Sequence, residues 1–145
     1  MRRLWVLAMT IALCVGSVSA DNDRPITFEQ LPKEAQTFIK KNFADINIVL
    51  SKEDPGILGS EYDVVFNDGT KIEFNSRGQW EKIKRRGKAL PAGIVPQQIA
   101  KYAGTHYPTA IITSIDRDSR DYEVELNTGV ELTFDIQFNC IDIDY

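Results

Sequence analysis

One histidine, two cysteines and no apolar run of bilayer length: each shortage in this chain of 145 residues removes a class of function. The longest apolar stretch, Leu4 to Val15, is twelve residues interrupted by Thr10, whereas a membrane-spanning helix needs about 20. The single histidine, His106, falls near the end of a predicted helix, where it reads as a structural or exposed side chain. Ser-His-Asp, Cys-His, zinc-ligand and phosphate-loop patterns are absent. Positive charge is also scarce, with 17 Lys and Arg against 21 Asp and Glu.

The beginning of the chain is not part of a fold. Arg2 and Arg3 precede the apolar stretch, and Val18-Ser19-Ala20 ends it with small residues suited to cleavage after Ala20. Residues 1–20 therefore read as a signal peptide, which predicts a periplasmic or secreted protein with no transmembrane segment once the signal is removed. Cys14 is a poor lipoprotein site, because Leu13 before it is not small. Processing leaves residues 21–145, the length of one domain, with 15 basic against 21 acidic residues and a net charge of −6. Nucleic-acid binding rests on clustered Lys and Arg against phosphates, so no nucleic-acid partner is expected. Cys140 alone remains, and one cysteine cannot form an internal disulfide. It reads as a small buried apolar residue, with no adjacent cation to activate a thiolate.

What the chain does have is a repeat. Leu31-Pro32, Ala35, Phe38, Ile39 and Phe43 are matched by Val95-Pro96, Ile99, Tyr102, Ala103 and Tyr107 at an offset of 64. Glu61-Tyr62-Asp63-Val64-Val65-Phe66-Asn67-Asp68-Gly69 is echoed by Asp121-Tyr122-Glu123-Val124-Glu125-Leu126-Asn127-Thr128-Gly129 at an offset of 60. The apolar positions at i, i+4, i+7, i+8 and i+12 form one face of a helix, and the proline suits its first turn. Period-2 alternation then predicts strands over 46–53, 62–66, 70–74 and 79–84, matched by 111–116, 121–126, 130–134 and 138–143. Asn67-Asp68-Gly69 reads as a tight turn pairing Phe66 with Thr70. The alternation does not decide which way Trp80 faces. Phe138 stands where Gly78 stands in the first copy, so the last hairpin is expected to turn differently. The predicted fold is α+β: a tandem repeat of a helix plus four antiparallel strands, about 26–87 and 89–144, within one domain. One such unit buries little and leaves sheet edges open. The two are therefore expected to merge into one sheet with both helices on one face.

That arrangement directs attention to the acidic side of the hairpins. The expected register sets Asp63 opposite Glu73, Glu125 opposite Glu131, Glu123 opposite Thr133 and Asp121 opposite Asp135. Like charges directly opposite destabilise a sheet by a few tenths to about 1 kcal/mol. Something cationic could compensate: Ca²⁺, the basic run Lys82, Lys84, Arg85, Arg86 and Lys88, or a basic partner protein. A solvated, salt-screened face is the alternative. Asp63, Glu73, Glu123, Glu125 and Glu131 are the candidate partner-binding residues. Glu125, Glu131, Asp116, Asp118 and Asp121 are the candidate calcium ligands. Asp116-Arg117-Asp118 begins like a calcium loop but lacks the central glycine and terminal glutamate of an EF-hand.

The exported prefix, the Leu-Pro or Val-Pro helix stripe and the recurring Tyr-x-Val-x-Phe/Leu-Asn-x-Gly hairpin together resemble the periplasmic PepSY-like family. The resemblance implies a fold similar to β-lactamase inhibitor protein, an antiparallel sheet with helices on one side. It further implies a ligand- or protein-binding role, inhibition among the options, and calcium as a cofactor. Inhibitors of that architecture carry two disulfide-closed loops, which one cysteine cannot supply, so their target does not carry over. The expected function is a non-enzymatic, exported binding module acting on a protein or peptide of the cell envelope. A hydrolase using the same carboxylates and a structural envelope protein are the alternatives.

Overall fold

The computed structural model describes residues 22–145, so the predicted signal peptide lies outside the described residues. Nine strands form a single antiparallel sheet in chain order: β1 (Arg24–Pro25), β2 (Ile48–Asp54), β3 (Glu61–Phe66), β4 (Lys71–Phe74), β5 (Trp80–Lys84), β6 (Ile112–Arg117), β7 (Asp121–Leu126), β8 (Glu131–Asp135) and β9 (Cys140–Asp144). A 3₁₀ turn, Phe28–Gln30, and helix α1 (Lys33–Asn42) fall between β1 and β2, and α2 (Gln97–His106) falls between β5 and β6. Chain-order pairing means that every connection but the two helical ones is a hairpin or tight turn.

Each helix starts at a proline, Pro32 or Pro96, whose missing N–H costs nothing there. Leu31, Ala35, Ile39 and Phe43, with Ile99 and Ala103, join every second strand residue in one apolar core: Val64, Phe66, Ile72, Phe74, Ile83, Ile115, Val124, Leu126, Leu132 and Phe134. Aromatic contacts tie helix to strand. Phe43 packs on Phe66 at 5.5 Å between ring centroids and Phe38 on Phe74 at 6.0 Å, while Tyr102 meets Phe134 edge-on at 5.3 Å. Helices of ten residues are marginal alone, and this burial holds them.

The turn residues set the registers. Phe66 N–H donates to the Thr70 carbonyl and Gly69 N–H to the Phe66 carbonyl; Leu126, Val130 and Gly129 repeat the pattern. Gly69 and Gly129 take φ of 83° and 91°, a left-handed backbone that favours glycine. β1 adds a short strand on the outer edge of β2 that alternation did not predict. Trp80 turns to the core because Glu81 is an extra residue at a bulge, Glu73 pairing with Lys82 but Phe74 with Trp80. Ile141 plays the same part in the last hairpin.

One expectation is corrected. The last hairpin does not turn differently: Phe138 adopts φ of 67°, close to the 81° of Gly78, and the backbone bonds of the two turns coincide.

Candidate binding face

The side of the sheet away from the core cluster carries charge in two ladders. The first runs through β2 to β9 as Lys52, Asp63, Glu73, Lys82, Asp116, Glu123, Thr133 and Asp142, each directly opposite the next. The second runs Lys71, Lys84, Ser114, Glu125, Glu131 and Asp144 from β4 to β9. Asp63 therefore lies opposite Glu73, and Glu125 opposite Glu131.

The chain's own lysines neutralise part of this face. Lys71 sits diagonally between the first acidic pair, 3.0 Å from Asp63 and 2.9 Å from Glu73. Lys82 reaches Asp116 at 3.2 Å and Lys84 reaches Glu125 at 3.1 Å. These contacts are half-exposed and individually weak, within about 0–1 kcal/mol. Hydrogen bonds and nearby carboxylates raise the Lys82 ammonium above its ordinary value, and in Lys71 they outweigh the downward pull of burial.

The lysines are unevenly spread, and charge divides across the sheet. β2 to β5 place Lys52, Lys71, Lys82 and Lys84 beside Asp63 and Glu73. β7 to β9 place Glu123, Glu125, Glu131, Asp142 and Asp144 with no lysine of their own. Among the described residues, Glu125 alone of these five makes an ion pair. Burial, then the nearby charges of Glu131 and Asp116, push the Glu123 carboxyl upward, with Lys82 opposing. Of the basic run, Lys82 and Lys84 do reach carboxylates of this face, while Lys71 is the feature that sequence reasoning missed for the first pair. Lys71 follows Gly69-Thr70 and pairs with Val65, so its diagonal reach to Asp63 appears only once the side chains are in place.

The five candidate calcium ligands do not converge. Glu125 and Glu131 face each other, but Asp116 lies in the other ladder opposite Glu123 and bound to Lys82. Asp118 turns into its own loop, where its Oδ1 accepts from the N–H groups of Arg120 at 2.7 Å and Asp121 at 3.1 Å, and its Oδ2 from the Arg120 guanidinium at 3.0 Å. These bonds, the Arg120 N–H first, hold its carboxyl below the ordinary range. Asp121 stands opposite Asp135, at the far end of the hairpin. No group of three or more His, Cys, Asp or Glu side chains is arranged to hold a metal ion among the described residues. What resembled the start of a calcium loop is a capped turn. A different acidic hollow, lined by Asp23, Lys52, Asp54, Glu61, Asp63 and Glu73, lies at the β2–β4 end.

His106 donates from Nδ1 to the Tyr102 carbonyl at 2.9 Å and stacks on that ring at 4.0 Å. Cys140 is a free, half-buried thiol. No helix among the described residues is long and apolar enough to cross a membrane.

An α+β protein with one antiparallel sheet and a charged sheet face is the class these features define. Residues 60–142 match the family described as "putative beta-lactamase-inhibitor-like, PepSY-like", and the chain belongs to that PepSY-like family. Solved structures agree. A putative periplasmic protein of the DUF2874 family from Bacteroides vulgatus is 45% identical with a TM-score of 0.83, over 87% of this chain and 99% of that one. A putative calcium-regulated periplasmic protein from Bacteroides thetaiotaomicron is 44% identical with the same TM-score of 0.83, over 87% and 99%. A putative periplasmic protein of unknown function from Bacteroides vulgatus is 30% identical with a TM-score of 0.80, over 85% and 99%. Like these neighbours, the chain is a periplasmic protein. No curated protein matches it.

Proposed function

We propose that this chain is a non-enzymatic binding protein that recognises a protein or peptide of the cell envelope across the open face of its sheet. The sheet is read as two copies of one unit, about 26–87 and 89–144, joined where β5 meets β6, with both helices behind and the charged ladders in front. The observation that carries the reading is the acidic block of β7 to β9. Carboxylates opposed to one another without a lysine lower stability, so a protein that keeps them gains something else from them. A partner with a basic surface supplies the missing cations. Such complementarity accelerates encounter and selects partners more than it adds affinity. Inhibition is one form that this binding takes if the partner is an enzyme.

Calcium belongs to this reading as a modulator. One solved neighbour is described as a putative calcium-regulated periplasmic protein. Here Glu123 and Glu131, which make no ion pair among the described residues, and the hollow that Asp54 and Glu61 line beside Lys52 are where Ca²⁺ would be drawn. Isothermal titration of residues 21–145 with CaCl₂ tests this part, and no heat at millimolar calcium removes it.

The face itself is tested by photo-crosslinking in envelope preparations. A crosslinking residue placed at Glu123 or Glu131 captures a discrete partner, and the same residue at Lys41 on α1 does not. Equal capture from both sides, or capture from α1 alone, overturns the proposal.

A further inference from the structure

We infer that β9 is a docking edge for an extended strand supplied by a partner, one that carries lysine or arginine on either side of an apolar residue. The argument starts from a strand that is not an edge. β5 is covered by β6, with Lys82 opposite Asp116, Ile83 opposite Ile115 and Lys84 opposite Ser114, and Lys82 bonded to Asp116 at 3.2 Å. β9 follows the same local path as β5. Each is entered from a turn with a left-handed residue, Gly78 or Phe138, and through a one-residue bulge, Glu81 or Ile141. An offset of 60 carries Lys82-Ile83-Lys84 onto Asp142-Ile143-Asp144. β9 thus presents the edge that accepts a strand in the first half, with its charges inverted. Among the described residues nothing pairs with it.

The opposite edge is treated differently. The outer side of β2 is blunted by β1, where Pro25 pairs with Lys52, Arg24 with Glu53, and Ile26 N–H donates to the Ser51 carbonyl at 2.9 Å. Asp23 and Arg24 add ion pairs to Lys52 and Glu53, each at 2.6 Å. Proline and charge are the usual means of protecting a sheet edge from pairing. β9 has no proline, its only charges are Asp142 and Asp144, which repel acidic strands and admit basic ones, and it exposes Ile141 and Ile143, 58% and 36% accessible.

Charge selects the occupant. A second copy pairing β9 with β9 would bring Asp142 and Asp144 of each chain together, at the end of a ladder that already reads Glu125, Glu131, Asp144. A second copy's β2 edge is taken by β1 from Ser51 to Glu53, and the stretch left open, Ile48 to Leu50, has no cation to set against Asp142 and Asp144. A strand antiparallel to β9 with cations opposite Asp142 and Asp144, and an apolar residue opposite Ile143, restores the pairing seen between β5 and β6. Main-chain hydrogen bonds would then supply affinity and the alternate side chains specificity. The edge borders the open face and shares Asp142 and Asp144 with it, but strand pairing is read at the β9 main chain and face binding at Glu123 and Glu131, so either reading can fail without the other.

The test uses residues 21–145 labelled with ¹⁵N and the acetylated, amidated peptide Thr-Val-Lys-Ile-Lys-Val-Thr, with a control in which both lysines are glutamate. The lysine peptide shifts the amides of residues 140–144 and slows their hydrogen exchange by at least tenfold, and the glutamate peptide does neither. The double variant Asp142→Lys/Asp144→Lys exchanges the preference. No binding at millimolar peptide, equal binding of both peptides, or shifts confined to Glu123, Glu125 and Glu131 with β9 exchange unchanged would each overturn the inference. So would a double variant that keeps its preference for the lysine peptide, or a β9-mediated dimer of the unliganded chain in sedimentation.

Discussion

Phe138 holds the left-handed backbone that Gly78 holds sixty residues earlier, with φ of 67° and 81°. The two turns share every main-chain bond: Asn75 and Asp135 donate N–H to the carbonyls of Gln79 and Asn139, and their carbonyls accept from Gly78 and Phe138. Both side chains also use Oδ1 to accept from the N–H groups two and four residues on. The Asn or Asp that opens the turn defines it, and glycine is a separate requirement. At Gly78 that requirement is contact with α1, since a Cβ there would stand 2.7 Å from Pro32 Cβ and 2.9 Å from the Ala35 nitrogen. At Phe138 the ring packs on Tyr122 at 5.4 Å, and this contact offsets the strain of the left-handed backbone.

Exchange at these two positions should therefore be asymmetric. Gly78→Ala pushes α1 off the sheet and costs about 3 kcal/mol, combining steric overlap with positive φ. Phe138→Gly trades about 1–2 kcal/mol of relieved strain against a similar loss of ring burial, and stability changes by about 1 kcal/mol or less. Urea unfolding of the two variants measures the difference. Comparable losses would show that the glycine is there for its dihedral alone.

Much of the fold was legible because local signals agreed. Gly69 and Gly129 each close a three-residue loop, so the pairings of Asp63 with Glu73 and Glu125 with Glu131 follow from counting. Legibility stopped at the bulges. Trp80 and Glu81 break period-2 alternation because an unpaired residue flips the side chain, and no local signal marks it. The candidate site was legible in register and illegible in charge balance. Lys71 reaches Asp63 diagonally on the adjacent strand and Lys84 reaches Glu125 over Ser114 on the strand between them, contacts that depend on side-chain conformation. Asp118 misled for a related reason, because the oxygens that a calcium loop would offer to metal are spent on the N–H groups of Arg120 and Asp121.

Trp80 offers a probe of the junction between β5 and β6. The Arg117 guanidinium lies 3.6 Å from the centre of its ring, and Arg117 Nε donates to the Trp80 carbonyl at 2.8 Å. Burial lowers the guanidinium pKa, as expected for a cation held by a ring face rather than by a carboxylate. Arg117→Met keeps the apolar stem and removes the charge, and should cost about 1–2 kcal/mol. In a chain of residues 21–145 Trp80 is the sole tryptophan, so its fluorescence reports the same change directly. An unaltered spectrum with unaltered stability would show that the stacking contributes nothing.

Acid stability should carry the signature of Asp68. Burial pushes this carboxyl up, but hydrogen bonds from Thr70 and the Arg85 guanidinium outweigh it, leaving its pKa at about 2 against an ordinary 3.8. Arg85 reaches it at 3.3 Å and also donates to the Ala89 carbonyl at 2.9 Å, so the β3–β4 turn is tied to the segment between β5 and α2. A depressed pKa stabilises the fold above the unfolded value, and that stability is lost as pH falls from about 4 through about 2. Asp68→Asn should lower stability at pH 7 by on the order of 1–2 kcal/mol and lose the difference from the parent near pH 2. A deficit that stays constant from pH 7 to pH 2 would assign the loss to packing rather than charge.

Glu131 should be the carboxylate whose removal helps the fold most. It stands between Glu125 on one strand and Asp144 on the other, and makes no ion pair among the described residues. Glu125 differs because Lys84 holds it at 3.1 Å. Glu131→Gln therefore removes two repulsions and no attraction, and should raise stability by about 0.2–1 kcal/mol. Glu125→Gln removes one repulsion together with the partner of Lys84, and should be near neutral. Both effects shrink in 1 M NaCl, where the screening length falls to about 3 Å. Glu123 adds a pH dependence of matching sign. Its folded pKa is raised, chiefly by burial, so its charge costs stability near neutrality, and that cost disappears as pH falls through the raised folded value. Urea midpoints for both variants, at low and high salt, measure the prediction. A larger gain from Glu125→Gln, or a gain indifferent to salt, would mean that β7 to β9 carry no stored electrostatic strain for a basic partner to relieve.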